Sequence, residues 1–177
     1  MNLVSKTKEI EMNCLIVRQP YASLIAYGPK RIEFRMQNCK KRGPILIASA
    51  RGRALKTGDT YLNSISKSFP RGYILAKAVL TDSFIGNNER IREKLTGEET
   101  VCIHKHEFQV TSKPFGEPMN DLLKAANDKN WKRYFWVLKD VHPLSSIIPL
   151  PINGTGSSWI RVRHLDNAAS TSLEDYI

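Results

Sequence analysis

The chain carries Arg18-Gln19-Pro20-Tyr21-Ala22 and, after five further residues, Gly28-Pro29-Lys30-Arg31-Ile32-Glu33-Phe34-Arg35. Proline fixes φ and lacks an N–H, so Pro20 suits the first turn of a helix. The apolar spacing that follows predicts a short helix over 21–27, which the Gly-Pro pair ends. Because the apolar run Cys14–Val17 precedes this stretch, the sequence predicts a strand, a short helix and a turn in succession.

The second motif alternates charged and apolar residues, which is the period of a half-buried strand. Ile32 and Phe34 fall on one face, and Glu33 and Arg35 on the other. With Lys30 at the preceding turn, an ammonium, a carboxylate and a guanidinium lie close together. Such a set binds phosphate through its cations, while the carboxylate accepts hydrogen bonds from a base edge or orients the lysine. The alternative is an ion-pair ladder on the protein surface.

The net charge of the chain is +10, and most of it comes from one window. Between Lys30 and Lys56, nine basic residues stand against the single acid Glu33, a net charge of +8, whereas the remaining sequence is nearly neutral. A balance this basic predicts a polyanionic partner, either nucleic acid or an acidic membrane surface. The other explanation, a basic surface kept for solubility, would spread the charge along the chain.

The rest of the pattern predicts short strands and brief helices. Beyond the opening motifs, strands are predicted at 45–50, 72–84, 134–141, 147–151 and 158–162. Helical or irregular segments are predicted at 54–69, 89–95 and 119–132. The strands at 30–35 and 45–50 are expected to deliver their charges beside one basic turn. Irregularly spaced strands with short helices indicate an α+β domain built on a curved or closed sheet.

Length and composition indicate one intracellular domain. The 177 residues, 41% hydrophobic and 25% charged, suit a single packed core. We expect a flexible lead over 1–12, a domain over 13–164 and a flexible tail over 165–177. No apolar run reaches the roughly 20 residues of a membrane span, and the first residues lack the apolar stretch of a secretory signal. The protein is expected in the cytoplasm, or in the nucleus if it is eukaryotic, with no membrane partner.

The three cysteines show no disulfide or zinc pattern. Cys14, Cys39 and Cys102 are odd in number and widely spaced, which favours reduced, buried thiols. Cys102, His104 and His106 would share one face of a strand and suit zinc, but a fourth ligand is not evident, and surface histidines are the simpler interpretation. Dinucleotide, Walker and common hydrolase motifs are absent. The sequence therefore predicts neither a metal nor a cofactor.

The two opening motifs resemble the ASCH domain, a module named for its homology to the activating signal cointegrator, and most of all its EOLA-like members. The resemblance rests on Cys14-Leu15, on Arg18–Ala22, on the G-x-K-x-x-E-x-R signature of Gly28–Arg35 and on the strand into Ser49. It implies a PUA-like β-barrel with short flanking helices, the fold of modules in pseudouridine synthases and archaeosine transglycosylases. In that fold the signature residues form the floor of a cleft. The family is generally regarded as RNA-related.

Charge and resemblance together predict a nucleic-acid-binding protein, with RNA the expected ligand. The predicted binding residues are Arg18, Gln19, Tyr21, Lys30, Glu33, Arg35, Ser49, Arg51 and Arg53. Four of these residues are expected to contact phosphate: Lys30, Arg35, Arg51 and Arg53. Glu33 and Gln19 are expected to read base edges, and Tyr21 or Trp136 to stack on a base.

Two further functions stay open. One branch of the family hydrolyses acetylated cytidine with a threonine three positions after the signature lysine, but that position is Glu33 here, which has no hydroxyl. A hydrolase of RNA or of a modified nucleoside, such as a ribonuclease, would instead use Lys30 and Glu33 as general acid and base. The third candidate is a protein-interaction module whose basic face meets an acidic partner.

Overall fold

A computed structural model of the chain describes residues 11–28, 30–56, 60–87, 89–90, 133–150 and 158–163. In chain order its elements are β1 (Glu11–Val17), α1 (Tyr21–Ala26), β2 (Ile32–Arg35), β3 (Gly43–Ser49), α2 (Thr60–Ile65), β4 (Tyr73–Ile85), β5 (Tyr134–Pro149) and β6 (Trp159–Arg163). The six strands and two short helices of this part of the chain confirm the α+β class. None of the helices described here has the length and apolar character needed to cross a membrane.

The six strands form one mixed sheet in the order β2-β5-β4-β3-β1-β6. β1 runs parallel to β3 and antiparallel to β6, and the long strands β4 and β5 pair antiparallel. Parallel neighbours need a crossover connection, and α1 lies in the one that joins β1 to β3. The β4–β5 register shifts at three places. Such irregularities bend and twist paired strands, so the sheet is strongly curved.

β2 is not a neighbour of β3. The sequence predicts that these consecutive strands deliver charge beside one turn, but β2 pairs with β5, and β3 pairs with β1 and β4. This pairing was not predictable, because local alternation shows which residues share a face and carries no information on which distant strand will pair. β5 is also longer than the predicted strand at 134–141. It continues to Pro149 and includes most of the separate strand expected at 147–151.

The central strands are buried on both faces. Leu15 and Val17 of β1 pack with Ile47 of β3 beneath α1, whereas Cys14 and Leu46 belong to a second cluster on the opposite face. This split follows from the alternation of side chains along a strand. A slip of one residue would exchange the two clusters, so each set of side chains would have to pack into the space of the other.

The curved sheet brings its two edges within reach of one side chain. Arg35, on the edge strand β2, donates to the carbonyl of Ile16 on β1 at 2.8 Å and to Ser158 Oγ at 2.9 Å. Trp136 of β5 also stacks on Trp159 of β6, with ring centroids 5.6 Å apart. Among the described residues no backbone ladder joins β2 to β6. The sheet is therefore open there, and a closed barrel remains a prediction.

Several predictions concern residues outside the described ranges. These are the strand with Cys102, His104 and His106, the helix at 119–132, and most of both flexible ends. β1 begins at Glu11, two residues before the predicted start of the domain. The predicted division into lead, domain and tail otherwise stays a prediction.

Candidate nucleic-acid interface

Lys30 and Glu33 of the signature form an ion pair inside the protein. Lys30 Nζ lies 3.2 Å from Glu33 Oε2 and donates a hydrogen bond to the carbonyl of Ile32. The two residues are only 1% and 8% exposed. The rings of Tyr21 and Phe34 lie 5.5 and 5.3 Å from the ammonium, in the range of cation–π attraction. A carboxylate, a carbonyl and two rings therefore surround the ammonium.

Arg35 completes this network from the other side of the carboxylate. Its Nε lies 3.2 Å from Glu33 Oε1, but the N–H does not point at that oxygen, so the contact is an ion pair without a hydrogen bond. The other guanidinium nitrogens hold the Ile16 carbonyl and Ser158 Oγ. The guanidinium also lies 5.6 Å from the ring centre of Trp136. Arg35 thus joins the buried carboxylate to the far edge of the sheet.

The strand pattern is therefore wrong about the environment of Glu33. Alternation predicts an ionic face turned to solvent, whereas Ile32 and Glu33 are both buried. Charges taken out of water are tolerated when they are paired and hydrogen-bonded. In this network every charge has an ionic partner, and the Arg35 Nε is the one buried nitrogen described there without a hydrogen bond. Phosphate contact by Lys30 and base reading by Glu33 are consequently not available on the surface of this structure.

Arg18 and Gln19 hold neighbouring segments in place. The Gln19 side chain is fully buried; its Nε2 donates to the Pro70 carbonyl at 2.6 Å and to Ser23 Oγ at 2.9 Å, and its Oε1 accepts from the Ser23 N–H. The Gln19 backbone carbonyl accepts from the Leu55 N–H at 2.6 Å. Arg18, which is exposed, donates to the Arg53 carbonyl at 3.2 Å. Gln19 is therefore an internal brace, in place of the base-reading residue that the sequence predicts.

Ser49 and Arg51 also bind within the protein. Ser49 is buried, and its Oγ lies 3.2 Å from both the N and the O of Tyr73, where β3 meets β4. Arg51 donates to the Leu150 carbonyl at 2.6 Å and lies across Gly72. A Cβ at Gly72 would fall 2.7 Å from Arg51 Cγ, and its φ of +79° is itself unfavourable for other residues. The end of β3 is thus a structural junction.

The two aromatic residues predicted to stack on bases belong to the core. Tyr21 is 8% and Trp136 is 3% exposed. Trp136 stacks on Trp159, and its Nε1 donates to the Gln37 carbonyl at 3.0 Å. Base stacking needs an exposed ring face, so neither residue supplies one in this structure.

Exposed cations meet in a different place, a surface cleft of about 460 Å³. We call it the basic cleft, and it is lined by Arg53, Ala54, Leu55, Lys56, Asn63, Ser66, Lys67 and Arg71. One wall follows β3, and the other runs from α2 towards β4. Four of the lining residues are cationic and exposed, and none of those described is acidic. The hydrogen bonds of Gln19 with Leu55 and Pro70 connect these two walls.

The structure also divides the basic window itself. Lys40, Lys41 and Arg42 precede β3, whereas Arg51, Arg53 and Lys56 follow it. At roughly 3.3 Å per residue, a strand of this length separates the two groups by about 20 Å. Of the predicted site residues, only Arg53 lines the basic cleft. Arg18 supports the cleft wall through its hydrogen bond to the Arg53 carbonyl.

Lys67 and Arg71 are members of the cleft that the sequence analysis missed. They lie outside the dense basic window, in a segment with one proline and one glycine ahead of β4. Two cations four residues apart beside a Pro-x-Gly turn are only a weak indication of a binding site. Only the packing of α2 and its following loop beside the β3 exit brings them opposite Arg53 and Lys56.

Cys14 and Arg31 are two further reactive or charged residues near the motifs. Burial raises the pKa of the Cys14 thiol to about 12, so the reactive thiolate is scarce at neutral pH. Arg31 donates to the carbonyls of Gly28 and Lys30, both at 2.9 Å, just after α1, and burial lowers its pKa. Among the described residues no group of three or more His, Cys, Asp or Glu could hold a metal ion.

A search of curated proteins found no match. Among solved structures, the crystal structure of ASCH from Zymomonas mobilis is similar at 16% identity and a TM-score of 0.44, covering 78% of this chain and 73% of that one. A Tyr-to-Phe variant of the same protein matches at 16% identity and 0.44, covering 78% and 76%. The family model of the ASCH domain matches residues 15–143, well over half of the sequence, and the chain therefore belongs to the ASCH domain family.

Proposed function

We propose that this protein binds nucleic acid, RNA in particular, and that the basic cleft is its main contact surface. The observation that carries the proposal is the convergence of Arg53, Lys56, Lys67 and Arg71 on one concave space without an acidic residue among the described lining. Phosphate contacts by exposed Lys and Arg release counterions and supply most of the affinity for nucleic acid. Membership of a family generally proposed to bind RNA supports the same ligand class.

The signature residues have a supporting role in this proposal. Glu33 pairs with both Lys30 and Arg35, so part of their charge is already offset within the protein. The exposed cations of the cleft have no such balance from the described residues that line it. An anionic ligand gains more from the second set, because its charge meets exposed cations that no described lining residue neutralises.

We extend the proposal to the fold: the curved sheet is a PUA-like barrel whose closure involves the Arg35 bridge. Supporting this, Arg35 spans from β2 to β1, and Trp136 stacks across to Trp159. Closing a sheet removes its exposed edges. It would also give the cleft a rigid base, since Gln19, at the end of β1, carries the bonds to both cleft walls.

The test is equilibrium binding of a fluorescently labelled single-stranded RNA of about 12 nucleotides at several salt concentrations. If four phosphates are neutralised, the log–log slope of affinity against salt is about −3, since each contributes roughly −0.7 on single strands. Lys56→Ala combined with Lys67→Ala should weaken binding about tenfold and flatten the slope by about 1.4.

A matched control removes the same charge elsewhere. Lys40 and Lys139 are exposed and do not line the cleft, so Lys40→Ala with Lys139→Ala should leave affinity nearly unchanged. Equal losses in both double variants would mean that overall charge, rather than the cleft, binds RNA. A slope near zero in the wild type would reject RNA binding through phosphates altogether.

The same incubations test the hydrolase alternative. RNA recovered intact, together with unconsumed N4-acetylcytidine, is the expected result for a binding protein. Fragments that disappear with Glu33→Gln, while circular dichroism shows this variant to be folded, would instead assign hydrolysis to the Lys30–Glu33 pair, after an opening of the interior that this structure does not contain.

A further inference from the structure

We propose that the basic cleft binds the phosphorylated end of an RNA strand, a terminal phosphomonoester with its nucleotide, in preference to the interior of the strand. This inference rests on the proposed function and specifies the part of the RNA that the cleft recognises. The juxtaposition that carries it is four exposed cations from two walls around a space sized for one small ligand.

Size is the first argument. The cleft volume of about 460 Å³ falls at the lower end of the roughly 300–1,000 Å³ of pockets that hold drug-sized molecules. One nucleotide is a ligand of that class, whereas a strand several nucleotides long is not. A single terminal unit seated in the cleft, with the strand leaving over the surrounding basic surface, satisfies this limit.

Charge is the second argument. An internal phosphodiester carries one negative charge, whereas a terminal phosphomonoester carries about −1.5 to −2 near neutral pH. Arg53 and Lys56 on one wall face Lys67 and Arg71 on the other. Arginine binds phosphate oxygens in a two-pronged geometry, and lysine adds a point charge. Two arginines and two lysines match the extra charge and the additional terminal oxygen of a phosphomonoester.

The apolar part of the lining is the third argument. Ala54 and Leu55 are half-buried between the two cations of the first wall. An inorganic anion would gain nothing from this apolar surface, but a ribose or a base can pack on it. The combined lining therefore suits a nucleotide better than free phosphate.

The cleft is also held in shape without a ligand. Gln19 bonds the Leu55 N–H on one wall and the Pro70 carbonyl beside Arg71 on the other, and Arg18 bonds the Arg53 carbonyl. Because the walls are tied to the end of β1, little ordering is needed when a ligand enters, which favours affinity for a small group.

The experiment compares three RNAs of identical sequence with a 5′-phosphate, a 3′-phosphate or hydroxyls at both ends. We expect one phosphorylated end to bind about tenfold more tightly than the hydroxyl-ended RNA, the scale of one or two additional charge-assisted hydrogen bonds. The phosphorylated RNA that binds more tightly shows whether the cleft recognises the 5′ or the 3′ end. A nucleoside monophosphate of matching geometry should compete, whereas the nucleoside and inorganic phosphate should compete weakly.

The matched variant is Arg53→Ala with Arg71→Ala, which should abolish the preference for a phosphorylated end. Circular dichroism confirms the fold of this variant, and Lys40→Ala with Lys139→Ala, of equal charge, should retain the preference. If all three RNAs bind equally well to the wild type, the end-recognition inference is overturned while RNA binding stands. If none of them binds, the proposed function itself fails.

Discussion

The molecule contains two cationic groups of similar composition in opposite environments. Lys30, which is buried, and Arg35, which is half-buried, lie on either side of the Glu33 carboxylate. Lys30 also donates to a carbonyl, and the two terminal nitrogens of Arg35 donate to a carbonyl and a hydroxyl. The cations of the basic cleft are exposed, with no acid among the described residues that line it. Glu33 offsets part of the charge of the first group within the protein, whereas no described lining residue offsets the charge of the second group, which is exposed to a ligand.

This difference separates stability from binding. A buried charge must be matched within the fold, since an unpaired one carries a large desolvation penalty. An exposed charge is hydrated in either case and contributes little to folding. Substitutions in the two groups should therefore have opposite signatures: loss of stability for the interior network, and loss of RNA affinity for the cleft.

The largest effect is expected for Glu33→Gln. The glutamine keeps the shape but removes the negative charge, so Lys30 and Arg35 lose the carboxylate that lies between them. Removing one partner of a buried ion pair destabilises by roughly 3–5 kcal/mol. We expect the free energy of unfolding in urea to fall by about this amount.

Its control is Glu11→Gln, which breaks the contacts of Glu11 with Arg161 and Arg163. These arginine side chains are 74% and 73% exposed, and exposed pairs contribute about 0–1 kcal/mol. Should the two glutamine variants be equally stable, the network around Glu33 would not be the structural group described above.

The next effect is expected for Gln19→Leu, which links the two regions. Leucine nearly keeps the volume but leaves the Pro70 carbonyl and the Ser23 N–H without their partner. Leaving a buried polar group unsatisfied costs about 1–3 kcal/mol. Because Gln19 also ties the second cleft wall, RNA affinity should fall as well. A loss of stability with RNA affinity unchanged would show that the brace does not shape the cleft.

A smaller effect is expected for Arg35→Lys, which retains the charge beside Glu33. Lysine cannot reach both Ile16 and Ser158 with a fixed fork of donors, so the bridge between the sheet edges weakens. We expect a loss of about 1–2 kcal/mol in urea unfolding and faster hydrogen exchange of the β1 and β6 amides. Unchanged exchange at those amides would argue against the bridge.

The smallest effect on stability is expected for Lys56→Ala with Lys67→Ala. Both side chains are exposed, and surface substitutions usually change stability by less than about 0.5 kcal/mol. The urea midpoint should therefore stay near that of the wild type, although RNA affinity falls. A clear drop in the midpoint would mean that these lysines are part of the fold, which would remove the contrast between the two cationic groups.

Of the cleft, the sequence predicted only Arg53 as a binding residue, but much of the structure around the signature was predictable. The short helix after Pro20, the strand at 30–35 and the contacts among Lys30, Glu33 and Arg35 follow from local spacing, and the structure contains them all. Their burial was not predictable, because the alternation in β2 distinguishes two faces without saying what covers each. Here Tyr21 and Phe34 cover the ammonium, and the curved sheet brings Ile16 to Arg35.

The sequence by itself determined the elements, the excess of basic charge and, through the Arg18–Ala22 and Gly28–Arg35 motifs, the ASCH family. These properties depend on residue type and on spacing over a few positions. Only the tertiary structure decided which charges are neutralised inside and which converge on the cleft. That outcome depends on strand pairing and loop packing between distant residues: β2 pairs with β5, and Lys67 and Arg71 come to lie opposite Arg53 and Lys56.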